Sequence, residues 1–430
     1  MKTVILDGTL EASDLVSAAL VDSLRRRTGE GTRVFPMRKL RMAQCLGEFD
    51  CWVKTPGVCH TRDEGREIAR AVHDADALFI AGPTSFGGYP SEAKKALDRN
   101  LGLILPFFVK RSAQTHHTAR YARLASLYAA LWHPHPTAEL QAILERLVAR
   151  NAINMFAPGH GAVLLGQDAT KWPVALDRLV ALARQAGPIV EVHPGHERAV
   201  LLEAAAPAVG PADQPSNVVL LVGSARPRGE STSEVLGRRL AGTAAKVHFV
   251  GSELVHDDGR FAGEALAADL LVLATPLYID SLPFLVTRAL EHVAARARHA
   301  ARKPRFAAVI NCGFPEAEQC IPAVQIARAF AAEAGMPWAG AIALGGGGMI
   351  DGQPLQKLGA FAEPLRVALD EAAAALRRGE GIPPDAIEKC SRPLVAPWIY
   401  RAASNLGWWQ QARKHGVRRA QLTARPFDAV

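Results

Sequence analysis

The stretch Ala75-Asp76-Ala77-Leu78-Phe79-Ile80-Ala81-Gly82-Pro83 decides the fold, because the chain contains a second copy of its pattern. It aligns without a gap with Ala268-Asp269-Leu270-Leu271-Val272-Leu273-Ala274-Thr275-Pro276. Each copy is a short apolar run, followed by a loop that opens with proline and then by a helical pattern. Such an order is typical of a strand, a loop of ligand-binding size and a helix.

The match continues at the same offset, where Pro90 aligns with Pro283. A second strand precedes each copy and ends in a small-residue turn, with Gly8 in the first copy and Gly223 in the second. Strands that alternate with helices predict parallel sheets covered on both faces. We therefore expect an α/β protein with two tandem doubly wound parallel sheets and a helical C-terminal tail. A single large α/β domain is the alternative.

The second domain shows the pattern more clearly than the first. Its five predicted strands lie near residues 218–222, 246–250, 269–275, 306–311 and 337–344. A doubly wound sheet of this kind binds its ligand beyond the carboxyl ends of the strands. In the first domain a long segment, 107–150, precedes a strand expected near 153–156. The predicted boundaries are 1–187 and 217–380 for the domains, 188–216 for a connector and 381–430 for the tail.

Composition excludes several classes of protein. The 430 residues are 49% hydrophobic and 21% charged, as in globular proteins, and contain no apolar run of membrane-spanning length. The net charge is +8, but residues 391–430 carry seven Lys or Arg and one acid, which leaves only +2 for the first 390. Basicity confined to a tail does not predict nucleic-acid binding. We expect a cytoplasmic homo-oligomer that does not bind a membrane surface.

An anion-binding loop is predicted directly after the first strand of the second domain. Small residues let the backbone wrap an anion, hydroxyl groups donate hydrogen bonds, and the following helix contributes its positive end. The alternative is a Ser/Thr-rich helix N-cap beside an exposed arginine. The spacing is not that of a Walker or dinucleotide-binding motif, so a mononucleotide phosphate fits best. The candidate phosphate-binding residues are Ser224, Arg226, Ser231, Thr232 and Ser233.

This segment resembles the G-S-x-R-x-x-G-x-[ST] phosphate loop of the NADPH-dependent FMN reductases, a flavodoxin-like family. The loop beginning at Thr275 is similar to the family's P-x-Y loop, and the loop beginning at Asn311 is similar to its third flavin-facing loop. The resemblance covers about residues 217–379. It implies that FMN binds here, with the isoalloxazine ring next to Pro276, Leu277, Tyr278, Ile279, Asn311, Gly313 and Phe314.

The first domain resembles the family in one loop and departs from it in another. The loop after its repeated strand resembles the flavin-facing loop, with candidate residues Pro83, Thr84, Ser85, Phe86 and Gly87. Its first loop, residues 7–14, contains three acids and no arginine. Carboxylates repel a phosphate dianion, so FMN binding in this domain stays an open question.

Cys45, Cys51 and Cys59 form a cluster within fifteen residues of the first domain. The segment is similar to the C-x2-C-x2-C-x4–7-C motif of iron–sulfur flavoproteins, with Glu48 at the second ligand position. Because a carboxylate is a harder ligand than a thiolate, we expect no stable iron–sulfur cluster and assign no metal. The alternatives are a degraded cluster site, redox-active thiols, and a metal held by three cysteines.

Three further features allow two interpretations each. Residues 345–348 are four glycines, either a flexible turn or a place where nicotinamide approaches the backbone. The histidines of 116–117 are loop residues, although His117 could meet a flavin or a substrate. The tryptophan-rich tail is either a helical arm packed on the protein or an amphipathic helix on an acidic membrane.

The resemblance implies an FMN-dependent oxidoreductase that passes electrons from NAD(P)H to a quinone, a flavin or another small-molecule acceptor. Such chemistry needs no general acid or base, and the sequence identifies no catalytic residue. The alternative is a flavodoxin-like electron carrier for protein partners, with the first domain as a non-catalytic scaffold.

Overall fold

The computed structural model describes residues 1–111, 113–185, 194–255 and 260–428. These residues divide into two compact units. Unit 1 comprises residues 1–111, 116–185 and 401–428, and unit 2 comprises residues 113–115, 194–255 and 260–400. The chain contributes both its N-terminal part and its last described residues to unit 1.

The elements of the N-terminal part alternate between strands and helices. The strands are β1 Thr3–Asp7, β2 Thr32–Pro36, β3 Ala77–Pro83, β4 Ile104–Arg111, β5 Gln114–Ala119, β6 Ser126–Trp132 and β7 His160–Leu165. The helices are α1 Leu15–Thr28, α2 Asp50–Val53, α3 Gly65–Asp74, α4 Ser91–Arg99, α5 Ala138–Asn154 and α6 Trp172–Gln185.

The C-terminal part repeats the alternation and ends in helices. Its strands are β8 Val218–Val222, β9 Lys246–Phe249, β10 Leu270–Pro276, β11 Arg305–Asn311 and β12 Trp338–Leu344. Its helices are α7 Pro194–Ala205, α8 Thr232–Ala241, α9 Val250–Val255, α10 Arg260–Leu266, α11 Phe284–Ala297, α12 Ile321–Glu333, α13 Gly347–Ile350, α14 Glu363–Arg377, α15 Pro384–Cys390, α16 Pro397–Lys414 and α17 Arg419–Leu422.

Both units contain a five-stranded parallel sheet with the same strand order. In unit 1 the order is β2-β1-β3-β6-β7, and in unit 2 it is β9-β8-β10-β11-β12. Numbered within each sheet, both are 2-1-3-4-5, the doubly wound order of flavodoxin-like folds. The predicted fold class is confirmed, as are all five strands of the second domain to within a residue or two.

The strands are buried because helices cover both faces of each sheet. The residues of β10 and β12 are almost all buried, and both strands read as continuous apolar runs rather than as alternating patterns. One face of the unit 1 sheet packs Ile5, Phe79 and Tyr128 against Leu24 of α1 and Leu176 of α6. The carboxyl ends of the strands remain as the edge where the connecting loops meet.

The strand predicted near 153–156 is wrong. Residues up to Asn154 form the last turn of α5, which begins where the Thr137 hydroxyl accepts a hydrogen bond from the Leu140 amide at 3.2 Å. A short apolar run does not distinguish a buried strand from the buried face of a helix. The fifth strand is β7, and the long segment before it contains β6 together with β4 and β5, which form a separate two-stranded sheet.

The last described residues are fixed to unit 1 by a buried arginine. Arg120 is 1% exposed, and its Nη1 donates to the carbonyl oxygens of Leu422 at 2.9 Å and Ala424 at 2.7 Å. Its Nε donates to the Gly102 carbonyl at 2.7 Å, and Arg425 Nε donates back to the Arg120 carbonyl at 2.7 Å. Burial lowers the Arg120 pKa to about 10, so the guanidinium stays charged at neutral pH.

We predict that Arg120→Met lowers the free energy of unfolding of unit 1 by about 3 kcal/mol or more. A hydrogen bond from a charged donor contributes roughly 1.5–3 kcal/mol. In this variant the carbonyls of Gly102, Leu422 and Ala424 would each lose the guanidinium as their donor. Urea denaturation measures the loss, and amide hydrogen exchange over 419–428 reports release of the segment. Arg123→Met is the control, because Arg123 forms an exposed ion pair with Asp76 that is worth at most about 1 kcal/mol. Equal effects of the two variants would contradict the assignment.

Candidate functional site

Asn311 joins three loops at the carboxyl edge of the unit 2 sheet. Its Nδ2 donates to Ser233 Oγ at 2.9 Å and to the Thr275 carbonyl at 3.1 Å. Its backbone carbonyl accepts a hydrogen bond from the Leu277 amide at 2.8 Å. The predicted phosphate loop and the two predicted ring-facing loops are therefore brought together, as the strand order requires.

Ser231 forms the N-cap of α8 in the predicted phosphate loop. Its hydroxyl accepts the Glu234 amide at 3.1 Å. The Glu234 carboxylate accepts the Gly229 amide at 2.7 Å and is 5% exposed as a residue. The helix N-cap that the sequence allowed as the alternative is therefore formed by Ser231. Glu234 occupies one of the backbone amides of the loop.

Arg226 is the half-exposed cation of this loop. Its Nη1 lies 2.8 Å from Asp351 Oδ1, and the two side chains are 39% and 60% exposed. Exposed pairs of this kind contribute at most about 1 kcal/mol, so Arg226 can exchange Asp351 for another anion at little cost. Arg228 instead places its guanidinium 4.5 Å from the centre of the Phe249 ring.

The segment after the four glycines packs on the phosphate loop. Thr232 Oγ1 donates to the Gly347 carbonyl at 3.0 Å and accepts the Gly352 amide at 3.3 Å. Gly352 has a φ of 72°, and a Cβ there would lie 2.5 Å from the Glu230 carbonyl oxygen. Gly347 begins the short helix α13, so the glycine run is an ordered turn that allows two loops of the protein to approach closely.

The ring-facing loop after β10 contains a strained turn. Tyr278 and Ser281 exchange two backbone hydrogen bonds, of 3.0 and 3.1 Å, and Ile279 and Asp280 between them have φ of 48° and 54°. A left-handed conformation costs roughly 1–2 kcal/mol for a residue with a side chain, and more for a β-branched one. Strain of this kind concentrates at ligand sites, where it fixes a side chain in one place.

The loop after β3 repeats this turn in unit 1. Ser85 and Gly88 exchange hydrogen bonds of 3.1 and 2.9 Å, and Phe86 and Gly87 have φ of 59° and 80°. The offset between the two turns, from Ser85 to Tyr278, is the offset of the sequence match. Thr84 precedes the turn and donates its amide to the Trp132 carbonyl at 2.9 Å. The candidate residues of the first domain therefore lie in one short loop.

Acidic side chains define the first loop of unit 1. Asp14 is the N-cap of α1 and accepts the Ser17 amide at 2.8 Å. Asp7 accepts the Thr9 amide at 3.0 Å. At the start of the helix unit 1 has the carboxylate of Asp14 where unit 2 has the neutral Ser231, and the Asp7 carboxylate uses a second amide of the unit 1 loop.

Gly313 and Tyr400 mark the third ring-facing loop of unit 2. A Cβ at Gly313 would meet no atom within 4 Å, so the backbone borders open space there. Tyr400 in α16 donates its hydroxyl to the Gly313 carbonyl at 2.8 Å and is 6% exposed. Tyr400 and Asp351 lie far along the chain from the residues they contact, so no local sequence pattern assigns them to the site.

The cysteine segment of unit 1 forms one pocket. Cys45, Cys51 and Cys59 line it together with Glu48 and Arg99. Burial, followed by the charge of Asp98, raises the pKa of Cys45 to about 12, and burial also raises the pKa of Cys51. These two thiols are protonated at neutral pH, which disfavours the interpretation of reactive thiolates.

His117 lies in a different environment from the one the sequence allowed. Burial lowers its pKa to about 3, and its Nδ1 lies 3.1 Å from the Pro106 carbonyl oxygen. Its ring centre is 4.7 Å from that of Trp52 and 4.6 Å from that of Phe108. His117 is a buried neutral imidazole in strand β5, packed within an aromatic cluster, so the prediction that residues 116–117 lie in a loop is wrong.

Comparison with known proteins gives one family match. Residues 1–124 match the model of the NADPH-dependent FMN reductase family. No curated protein matches the chain significantly. Among the part of the chain that the structure describes, no helix is long and apolar enough to cross a membrane.

Several solved structures match part of the chain. The Trp repressor binding protein from Bacillus subtilis is 15% identical, and the match covers 33% of this chain and 95% of that one with a TM-score of 0.27. An FMN-dependent NADH-azoreductase from Bacillus anthracis, solved in complex with FMN, is 12% identical. That match covers 43% of this chain and 99% of the azoreductase, with a TM-score of 0.31.

We predict that the wild-type protein binds no stable [4Fe–4S] cluster and that Glu48→Cys gains iron after anaerobic reconstitution. The substitution replaces a hard oxygen ligand by a thiol in a pocket that three cysteines already line. Iron and acid-labile sulfide analysis of both proteins measures this, with Glu48→Cys/Cys45→Ser as the control that should lose the gain. About four irons per wild-type chain would contradict the prediction.

Proposed function

We propose that the protein is an FMN-dependent oxidoreductase that takes electrons from NADH or NADPH and passes them to a small-molecule acceptor such as a quinone or a flavin. The observation that carries the proposal is the match of residues 1–124 to the NADPH-dependent FMN reductase family. The flavodoxin-like strand order in both units supports it, because this order creates a ligand crevice at the carboxyl edge of each sheet.

Unit 2 is the proposed FMN-binding unit, although the family match lies in the N-terminal part of the chain. The donors there fit a phosphate. Arg226 is a half-exposed cation in a weak ion pair, the N-cap Ser231 is neutral, and a Cβ at Gly229 would meet no atom within 4 Å. In unit 1, Asp7 and Asp14 accept amide hydrogen bonds at the corresponding position. A phosphate dianion is repelled there.

The chain's own residues would hold and shield the cofactor. Arg226 would leave Asp351 for the phosphate, and Ser224, Ser231, Thr232 and Ser233 would complete the phosphate site. Pro276, Leu277, Tyr278 and Ile279 would border the ring on one side, and Asn311, Gly313 and Phe314 on the other. When bound, FMN supplies two-electron redox chemistry, for which the protein contributes position and electrostatics.

Tyr400 is the proposed cover of the third loop. Its hydroxyl is held by the Gly313 carbonyl, and its ring lies 3.7 Å from the position of a Cβ at Gly346. A buried aromatic side chain at this place excludes water from the loop. In unit 1 the family match favours FMN binding and the acids of the first loop disfavour it, so the number of flavins bound per chain decides between one site and two.

We predict that Arg226→Ala/Ser231→Ala weakens FMN binding at least tenfold in the full-length protein. Each charge-assisted or hydroxyl hydrogen bond to phosphate contributes roughly 1–3 kcal/mol, and tenfold corresponds to about 1.4 kcal/mol. Quenching of FMN fluorescence during titration measures the dissociation constant. Asp351→Asn should lower the dissociation constant, since it removes the internal carboxylate that competes for Arg226.

The matched control for this double variant is Arg302→Ala/Thr137→Ala. Arg302 is exposed and pairs with Asp269 at the other end of β10, and Thr137 is the N-cap of α5 in unit 1. The control therefore loses one arginine and one helix cap without touching the loop. Equal FMN affinity in the wild type and in the Arg226→Ala/Ser231→Ala variant would refute the phosphate site.

We also predict that NADPH or NADH bleaches the visible flavin absorbance of the FMN-loaded protein when they are mixed anaerobically. Steady-state rates with a quinone or free flavin should give parallel double-reciprocal lines, because the nicotinamide leaves before the acceptor binds. Absorbance that stays oxidised with both nicotinamides would contradict the reductase and favour an electron carrier.

A further inference from the structure

Three side chains with metal-binding atoms meet in the cysteine segment of unit 1, and two of them, Glu48 and Asp50, also line the cysteine pocket. His60 Nδ1 lies 3.1 Å from Glu48 Oε1 and 3.9 Å from Asp50 Oδ2. The three donor atoms all lie within 4.8 Å of one another. Among the residues that the structure describes, this is the only group of three His, Cys, Asp or Glu side chains with such proximity.

The separation of His60 and Glu48 matches that of two ligands that share one ion. Zinc-class ions bind imidazole nitrogen and carboxylate oxygen at about 2.0–2.2 Å. At tetrahedral or octahedral angles, two such ligand atoms are roughly 3.0–3.6 Å apart. The distance of 3.1 Å between His60 and Glu48 lies within this range, whereas the 3.9 Å between His60 and Asp50 is longer, so Asp50 would have to move towards the ion.

The thiols of the pocket are a second and independent set of metal-binding atoms. Glu48 and Asp50 line the same pocket as Cys45, Cys51 and Cys59. The three sulfur atoms do not themselves form a group within 4.8 Å in the described chain, whereas the oxygens and the imidazole do. The candidate ligands of one ion are therefore Glu48, Asp50 and His60, without a thiol.

Phe49, the residue between Glu48 and Asp50 in the sequence, is fixed in an aromatic cluster. Its backbone has a left-handed conformation with φ of 61° and ψ of 17°. Its ring centre is 5.3 Å from that of Trp52, in a stacked arrangement, and 5.2 Å from that of Trp408. Trp52 in turn donates its Nε1 to the Ile104 carbonyl at 2.9 Å. The ligands are thus supported by a packed aromatic cluster.

We propose that Glu48, Asp50 and His60 form a binding site for one divalent transition-metal ion of the zinc class. Lys54 is the internal competitor, because its Nζ lies 2.8 Å from Asp50 Oδ2. Metal binding replaces that contact and the His60 contacts to both carboxylates. The donor set of two carboxylates and one imidazole suits Zn²⁺, Co²⁺, Mn²⁺ or Fe²⁺ and does not suit Cu⁺.

The test uses the full-length protein after treatment with a chelator, with Zn²⁺ titrated calorimetrically and Co²⁺ as the spectroscopic probe. One equivalent per chain is expected, and Glu48→Gln and His60→Gln should each weaken binding at least tenfold. His135→Gln is the matched control, since His135 is an exposed histidine of another unit 1 loop, and it should leave the affinity unchanged.

Two results would overturn the proposal. The first is an absence of stoichiometric binding, or an affinity that Glu48→Gln and His60→Gln leave unchanged. The second is a loss of binding in Cys45→Ser and Cys51→Ser, with full retention in Glu48→Gln and His60→Gln, which would assign the metal to the thiols alone. Retention of the circular dichroism spectrum in each variant separates ligand loss from unfolding.

Discussion

The constraint on which both units depend is a single backbone hydrogen bond at the end of the first strand. The Gly8 amide donates to the Ala81 carbonyl at 2.8 Å, and the Gly223 amide donates to the Ala274 carbonyl at the same distance. A side chain does not fit there, because a Cβ would lie 2.5 Å from Pro90 Cγ in unit 1 and 2.2 Å from Val286 Cγ2 in unit 2. This hydrogen bond lies where the first strand of each sheet ends and joins the start of its loop to the third strand. The loops that follow the first and third strands are therefore adjacent.

The two units share this backbone arrangement but differ in the charge of the residue that caps the following helix. The same position at the start of the following helix is Asp14 in unit 1 and Ser231 in unit 2. Both are good helix caps, so either residue satisfies the folding requirement. The choice matters only for what the helix end can bind, since a carboxylate already fulfils the role of an anion there. At this position the ability to cap the helix serves the fold, and the charge of the side chain determines which ligand the helix end can bind.

The sequence predicted the parts of the fold that depend on local pattern. Continuous apolar runs such as β10 and β12 identify buried parallel strands, and the proline at the end of β3 and of β10 marks where the loops begin. The strand near 153–156 failed because α5 carries the same short apolar run on its buried face. Asp351, Tyr400 and His60 were not assigned, because their contacts join segments that no local pattern links. His60, for example, meets Glu48 across an irregular segment that includes Gly57, whose φ is 89°.

The buried contacts of Arg120 also affect the order in which the protein is made. The carbonyl of Leu422, which receives the Arg120 guanidinium, lies 302 residues further along the chain. At the usual rate of about 5–20 residues per second, a ribosome needs about 15 to 60 s to synthesise that interval. Throughout this time the arginine lacks two of its buried carbonyl acceptors. The unit that begins first is therefore completed last, after the whole of unit 2 has left the exit tunnel.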